Sequence, residues 1–399
     1  MPDWKALLDN EFDLFEPINL AQRLVRISSV SRTDGEVEIA RFIANYFIDN
    51  DIPVEWQEVD GRRANLIAEI QGVLGEGPVL LFNGHMDTVP VGTGWTYPPL
   101  GGEIVHNRLY GRGACDMKGA LAAMMYAAKM VVLFAHSLYG KLKIVFVIDE
   151  EEENAGIREW VKMYHTRGEV IDYAIVGEPT GLNISLGHRG VAAYRIEVRG
   201  KSCHAAVADR GLNAVHYASL IVDRLERKRR ELLRFEDPDL GAPALSVGKI
   251  VGGVAPNVVP ESCILEVDVR TLPSFSLEEM ERVLWETAEE VRTKEGVSFE
   301  YTITQCIPHL PPAKVSRDIE LVGLLARSIA DIPGEVPMFS PFPASCEASF
   351  LVEAGIPTLI FGPGHIEEAH SANEFVPVTQ VVTASRVYAL LALRLLGGE

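Results

Sequence analysis

Hydrophobic positions along the chain fall into two patterns. From about residue 11 to 50, apolar side chains recur at helical spacing and predict helices. Short apolar runs bounded by Gly or Pro follow: "NLIAEI" (65–70), "VLLFNG" (79–84), "LKIVFVID" (142–149) and "YAIVGEP" (173–179). These runs are continuous rather than alternating, as strands buried on both faces are. Helix-like segments, notably Met117 to Ala135 and Glu151 to Tyr164, lie between them. Buried strands alternating with helices predict an α/β fold with a mainly parallel sheet. The most apolar stretch, Ala120 to Ala135, carries Lys129 and is short for a membrane span, so it reads as a buried helix.

The pattern changes around Gly187. "VAAYRIEVRG" (191–200) alternates like a half-exposed strand, and "GLNAVHYASLIVDRLERKRRELL" (211–233) is helical. "ALSVGKIVGG" and "ESCILEVDVRTL" are strands. "SLEEMERVLWETAEEVRTKEG" is a helix with a Ser cap and early Glu residues. "VSFEYTITQC" (297–306) is a strand. The order β-α-β-β-α-β is that of a split, ferredoxin-like unit. After the Pro-rich "IPHLPPAKV" the α/β pattern resumes, with "IPTLIFGPG" as a strand and Val381 to Leu396 as a closing helix. The expected organisation is therefore a first domain of residues 1–187 and 307–399, interrupted by an inserted domain of residues 188–306.

Length and charge narrow the classes. A chain of 399 residues is long for a single core. A formal net charge of -19 argues against nucleic-acid and anionic-membrane partners, and requires a local cation to hold an anionic substrate. The five cysteines are dispersed with no CxxC spacing, which reads as reduced thiols in a cytoplasmic protein. The segment "MPDWKALLDNEFD" has no signal-peptide apolar core.

Candidate chemistry gathers where apolar runs end. "LLFNG" leads to His85 and Asp87, "IVFVI" to Asp149, Glu150 and Glu151, "YAIVG" to Glu178, and "PTLIFGPG" to His370 in "AHSANE". In open α/β sheets, ligands bind beyond the carboxyl ends of the strands. Asp116, in the Gly-rich "GRGACDMKGA", stands before a helix. Histidines with carboxylates and no required cysteine form a hard-to-borderline metal set. So many carboxylates in one crevice would repel each other or take up protons unless divalent cations join them. Two metals sharing a carboxylate and a water would supply a nucleophile near neutral pH. In an extended segment residues two apart share a face, so Asp87 can accept the free ring N–H of His85. Each motif alone has a plainer reading: His-x-Asp as a surface turn, "DEEEE" as an acidic helix start, Glu178 as a strand end, His370 as a helix cap, and Cys115 as a small buried residue. His106, His136, His165, His216 and His309 read as surface or packing residues. The case rests on the set occurring together.

With these residues in order, the chain resembles the M20 family of zinc-dependent amidohydrolases. "GHMDTVP", "GRGACDMKG", "DEE", "GEPT" and "AHSANE" carry the resemblance across nearly the whole chain. It implies that His85 and Glu178 bind one metal, Glu151 and His370 a second, and Asp116 both, with a cis peptide after Asp116. Zn²⁺ is the first candidate, with Co²⁺ or Mn²⁺ as alternatives. It further implies that Glu150 is the general base and that Asp87 orients His85. His204 of "KSCHAAVADRGLNAV" would reach the active site of a partner subunit. Asn257 and Arg270 would bind substrate, and the inserted domain would be a dimerisation lid. "SCEAS" (345–349) departs from the Thr-Asp-Ala-like stretch of many relatives and is nearer the acetylornithine deacetylase pattern. The expected reaction is hydrolysis of an N-acyl amino acid amide in a homodimer. A dipeptidase, a carboxypeptidase, a succinyl-diaminopimelate desuccinylase and a non-catalytic metal- or peptide-binding homologue are the alternatives.

Overall fold

The computed structural model describes residues 2–296 and 299–398. The chain forms two compact units, Met1–Gly187 with Lys314–Glu399, and His188–Ala313.

The first unit is built on a six-stranded sheet. Its order is Val54–Asp60, Arg63–Gln71, Lys141–Val147, Val79–His85, Tyr173–Val176 and Thr358–Ile360. The first two junctions are antiparallel and the remaining three are parallel. The sheet is thus mixed, with a parallel half that holds every strand whose end carries candidate chemistry. The strand Val54–Asp60 was not expected. Its burial alternates only weakly on a solvated edge, so "VEWQEVD" lacks the apolar run by which the central strands announce themselves.

Helices cover the sheet. Gly119–Leu133 is buried along nearly its whole length, and its Gly and Ala residues let neighbouring backbones approach closely. The closing helix Val378–Gly397 packs against it. Tyr388 of that helix stacks obliquely on Phe82 of the central strand, with ring centroids 5.3 Å apart. Among the described residues no helix is long and apolar enough to cross a membrane. The helix expected from Glu151 begins only at Ala155, because residues 150–153 form a turn.

A second, three-stranded sheet was also not foreseen. It pairs Glu103–Val105 with Arg108–Tyr110, and that strand with Phe375–Pro377. Strands of three residues carry too little pattern to be read.

The second unit follows the βαββαβ order. Its strands are Gly190–Arg199, Ala244–Gly252, Ser262–Thr271 and Glu300–Leu310, all paired antiparallel, with Gly190–Arg199 and Ser262–Thr271 at the centre. Both central strands alternate buried with less buried residues strictly enough to explain their legibility. The helix Leu277–Glu295 starts with a reciprocal capping box between Ser276 and Glu279. The strand expected over 297–306 runs on to Leu310, while Val297 and Ser298 lie outside the described residues. Pro308 is tolerated because this is an edge strand with two breaks of register.

Candidate metal centre

Parallel strands end at one edge of the sheet, and that geometry assembles the centre. His85 is the last residue of its strand. Glu178 lies two residues beyond the end of Tyr173–Val176, and Asp149 two beyond Lys141–Val147. Asp116 sits in an irregular turn, Ala114–Lys118, with a cis peptide to Met117. Gly84 leaves room for the Met117 side chain: a Cβ there would stand 2.5 Å from Met117 Cε. His370 occupies a loop with φ of 58° rather than capping a helix.

The side chains converge as two triads that share one residue. His85 Nε2 lies 3.0 Å from Asp116 Oδ1 and 3.9 Å from Glu178 Oε1. His370 Nε2 lies 3.3 Å from Asp116 Oδ2 and 3.0 Å from Glu151 Oε2. Asp116 therefore turns one oxygen toward each histidine. In each triad the ligand atoms lie within 4.8 Å of one another. His85, Asp116 and Glu178 are buried, while His370 is exposed.

The electrostatics favour cations. Burial pushes the carboxyls of Glu150 and Glu178 well above their ordinary range, and neighbouring carboxylates add to the effect. Burial opposes charge on His85, but Asp116 and Asp87 outweigh it and raise its pKa well above the usual value. Hydrogen bonds to Asp116 and Glu151 lift His370 to about 10. Protons thus hold together what divalent cations would hold instead. Two imidazoles and three carboxylates, without a thiol, suit borderline divalent ions such as zinc or cobalt. The donor set fits a pair of such ions.

Asp87 departs from expectation. His85 Nδ1 lies 3.0 Å from the backbone carbonyl of Asp87 and 3.6 Å from its carboxylate. The strand ends at His85, so the alternation that would aim both side chains one way stops there. The Asp87 carboxylate instead accepts the Ser31 hydroxyl at 2.6 Å, the Glu150 N–H at 3.1 Å and the Glu151 N–H at 3.2 Å. It fastens the turn that carries both glutamates.

That turn has a second anchor. Asp149 adopts φ of 63° and Asn154 φ of 57°, a region that Asp and Asn enter more readily than most residues. The Asp149 N–H donates to Glu36 Oε1 at 3.0 Å, and the other Glu36 oxygen accepts Arg63 Nη1 at 2.7 Å. Sequence reasoning missed Glu36, though a signal exists. It shares the buried helical face of Ile39, Ala40, Ile43 and Phe47, where a carboxylate needs a reason.

Cys346 and Glu347 approach Glu178, within 4.8 Å for one ligand atom of each. Glu347 is fully buried and neither carboxylate oxygen has a hydrogen-bond partner.

The remaining predicted residues belong to the second unit. His204 is exposed and its Nδ1 accepts the Ala206 N–H at 3.1 Å, so the neutral ring carries its proton on Nε2. The Asn257 carbonyl accepts the Ala205 N–H at 2.9 Å, and Val258 bridges to His204, so these two segments lie side by side. Arg270 forms a fork with Asp268, two residues earlier on the same strand face, at 2.9 and 3.1 Å.

Comparison with known proteins agrees with this geometry. The chain is 34% identical over 364 residues to an acetylornithine deacetylase of Aliivibrio fischeri, covering 89% of this chain and 92% of the relative. In fold it resembles aminopeptidase PepT from Bacillus cereus, with a TM-score of 0.78 and 22% identity over 95% of this chain and 98% of that one. It also resembles a dinuclear metal-binding M20 peptidase of Bacillus subtilis, with a TM-score of 0.73 and 20% identity over 96% of this chain and 98% of that one. Residues 81–394 match Peptidase family M20/M25/M40, and with most of its length so matched the chain belongs to that family.

Proposed function

We propose that the chain is a metal-dependent amidohydrolase that cleaves the amide of an N-acyl amino acid, releasing a carboxylate and a free amino acid. The observation that carries the reading is Asp116, with its two oxygens divided between two histidine–carboxylate sets. The acetylornithine deacetylase relative supports the acyl amino acid as substrate class. His85 and Glu178 would hold one divalent ion, Glu151 and His370 a second, and Asp116 both, zinc being the first candidate. Bound there, such ions polarise a carbonyl and bring a water's pKa toward neutrality.

The chain's own residues supply the proton traffic and the aim. Glu150 acts as general base, taking a proton from the attacking water and delivering it to the leaving nitrogen. Its aim depends on the Asp87 carboxylate, which holds the Glu150 N–H. His204, with its proton on Nε2, donates to the developing oxyanion. In a homodimer joined through the second unit, it would serve a partner's centre. Arg270 receives the substrate carboxylate in the fork that Asp268 now fills, and Asn257 orients the amide. None of the five cysteines is in a disulfide, which accords with a reducing, cytoplasmic setting, and the net charge of -19 accords with a small-molecule substrate rather than nucleic acid or membrane.

The test is a hydrolysis screen of N-acetyl and N-succinyl amino acids and of dipeptides, after chelation and with Zn²⁺, Co²⁺ or Mn²⁺ restored. Turnover of N-acetyl substrates only when a metal is present is the expected result. Hydrolysis of dipeptides alone would move the chain to the peptidase reading, and no hydrolysis with any metal would overturn the proposal.

A further inference from the structure

Glu374 is a carboxylate for which the proposed chemistry has no use. It is fully buried, as is its partner Arg112. Arg112 Nη1 donates to Glu374 Oε2 at 2.6 Å. The other oxygen accepts two backbone N–H groups, Cys115 at 2.9 Å and Asp116 at 3.1 Å. Burying a charge pair is costly, and such pairs hold position when their remaining donors and acceptors are satisfied. Here both Glu374 oxygens are satisfied, one by Arg112 and the other by the N–H groups of Asp116 and the residue before it, while Arg112 Nε has no partner.

The surroundings tie the same two segments together. The Gly111 N–H donates to the Glu374 carbonyl at 2.9 Å, and Phe375 pairs with Tyr110 in the small sheet. Asn373 Oδ1 accepts the Thr96 N–H at 2.7 Å. Arg112 Nη2 reaches the Val91 carbonyl at 3.2 Å, and its guanidinium lies 5.3 Å from the Trp95 ring centre. His370 lies four residues before Glu374, in the segment that these contacts tie to the turn that bears Asp116.

We propose that Glu374 is a positioning residue: its carboxylate, neutralised by Arg112, sets the Asp116 peptide so that the two Asp116 oxygens face His85 and His370 together. This rests on the reading of Asp116 as a shared ligand. A hydrogen-bond acceptor, rather than a negative charge alone, is what the two N–H groups require.

The experiment separates acceptor from charge. Arg112→Met combined with Glu374→Gln keeps an amide oxygen for the two N–H groups and leaves no orphaned cation. Arg112→Met combined with Glu374→Ala has the same charge and no acceptor. Chelator-treated full-length protein is titrated with Co²⁺ against a competing chelator, following the visible d–d absorption. Thermal unfolding of the cation-free forms is recorded in parallel. Wild type should take up two equivalents. The alanine double variant should bind Co²⁺ about 10–100-fold more weakly than the glutamine double variant, the usual scale for losing a residue that orients a ligand. Equal Co²⁺ affinities in the two double variants would overturn the positioning role, whatever their unfolding temperatures. If the alanine form fails to fold, Glu374→Asp keeps the charge and withdraws the oxygens by one methylene. Wild-type affinity in that variant would overturn the proposal, and a loss of tenfold or more would support it. Failure of wild type to take up Co²⁺ at all would instead sink the metal reading on which this one stands.

Discussion

Replacing Asp87 by alanine should disable the glutamate turn and leave His85 oriented. The Asp87 carboxylate is fully buried and accepts from Ser31, Glu150 and Glu151. Its loss leaves two backbone N–H groups without an acceptor, whereas the Ser31 hydroxyl can turn to the Thr88 carbonyl, now 3.4 Å away. At about 1–3 kcal/mol for each orphaned donor, the cost is about 2–6 kcal/mol of stability. Water reaching the partly buried turn moves the expectation to the lower half of that range. His85 Nδ1 keeps its 3.0 Å contact, because the acceptor is the backbone carbonyl that alanine also has. A displacement of about 1 Å at a reacting group costs on the order of 10²-fold in rate. The expected outcome is therefore a kcat lower by about 10²-fold, a weakened ion on the Glu151 side, and a retained ion on the His85 side. Urea unfolding of the cation-free protein, competitive Co²⁺ titration and turnover of an N-acetyl amino acid measure the three effects. Near-normal kcat with loss of the ion on the His85 side would refute this reasoning and return the Asp87 carboxylate to the role of orienting His85.

Glu150 and Glu151 are adjacent and should fail differently: Glu150→Ala keeps both ions and loses 10²-fold or more in kcat, on the scale of a general base, while Glu151→Ala loses one ion by metal analysis. Arg270→Ala should lower kcat/KM for substrates with a free carboxylate by about tenfold or more and spare their amides; equal losses would make the Asp268 fork merely structural. Mixing inactive Glu150→Ala and His204→Ala proteins under subunit exchange should restore activity in proportion to heterodimer formed, since one of its two sites is then complete; inactive heterodimers would confine His204 to its own chain. Glu347→Gln should stabilise the cation-free protein by about 1–3 kcal/mol at pH 8, because it removes a buried negative charge whose oxygens have no partner. Burial lifts this carboxyl to about 7. Between its ordinary pKa and that value the folded state holds a proton that the unfolded state has released, so wild-type stability falls as pH rises from 5 to 8. The advantage of glutamine should grow over the same interval in urea titrations, and an advantage that shrinks would contradict the assignment.

What could be read in the sequence follows from physical range. His85, Asp116, Glu151, Glu178 and His370 were legible as a set because each stands just past an apolar run or a Gly-rich turn. The βαββαβ unit was legible because its two central strands alternate without a break. The acceptor of His85 Nδ1 was not, because pattern gives the face of a side chain and says nothing of where its own carbonyl points. Glu36 and Glu374 were overlooked for a different reason. Each acts through backbone N–H groups more than a hundred residues away, on Asp149 and on Cys115 and Asp116. A carboxylate that serves a distant peptide leaves no local signature beyond being an acid where burial is expected. The fork between Arg270 and Asp268 could have been anticipated, since residues two apart on a strand share a face.

The small sheet that pairs Arg108–Tyr110 with Phe375–Pro377 has a consequence for biosynthesis. Chains emerge from the ribosome N-terminus first, and domains generally fold as they become complete. The inserted unit, His188–Ala313, can finish early, whereas the unit that encloses it waits for its last strands. Until Thr358–Ile360 has joined the sheet and Phe375 has met Tyr110, the nascent protein has His85 and Glu178 but neither His370 nor the carboxylate that seats Asp116. An unfinished polypeptide would thus offer trace metal an incomplete set of donors, and the order of synthesis would postpone tight capture until His370 and Glu374 have emerged and joined the fold.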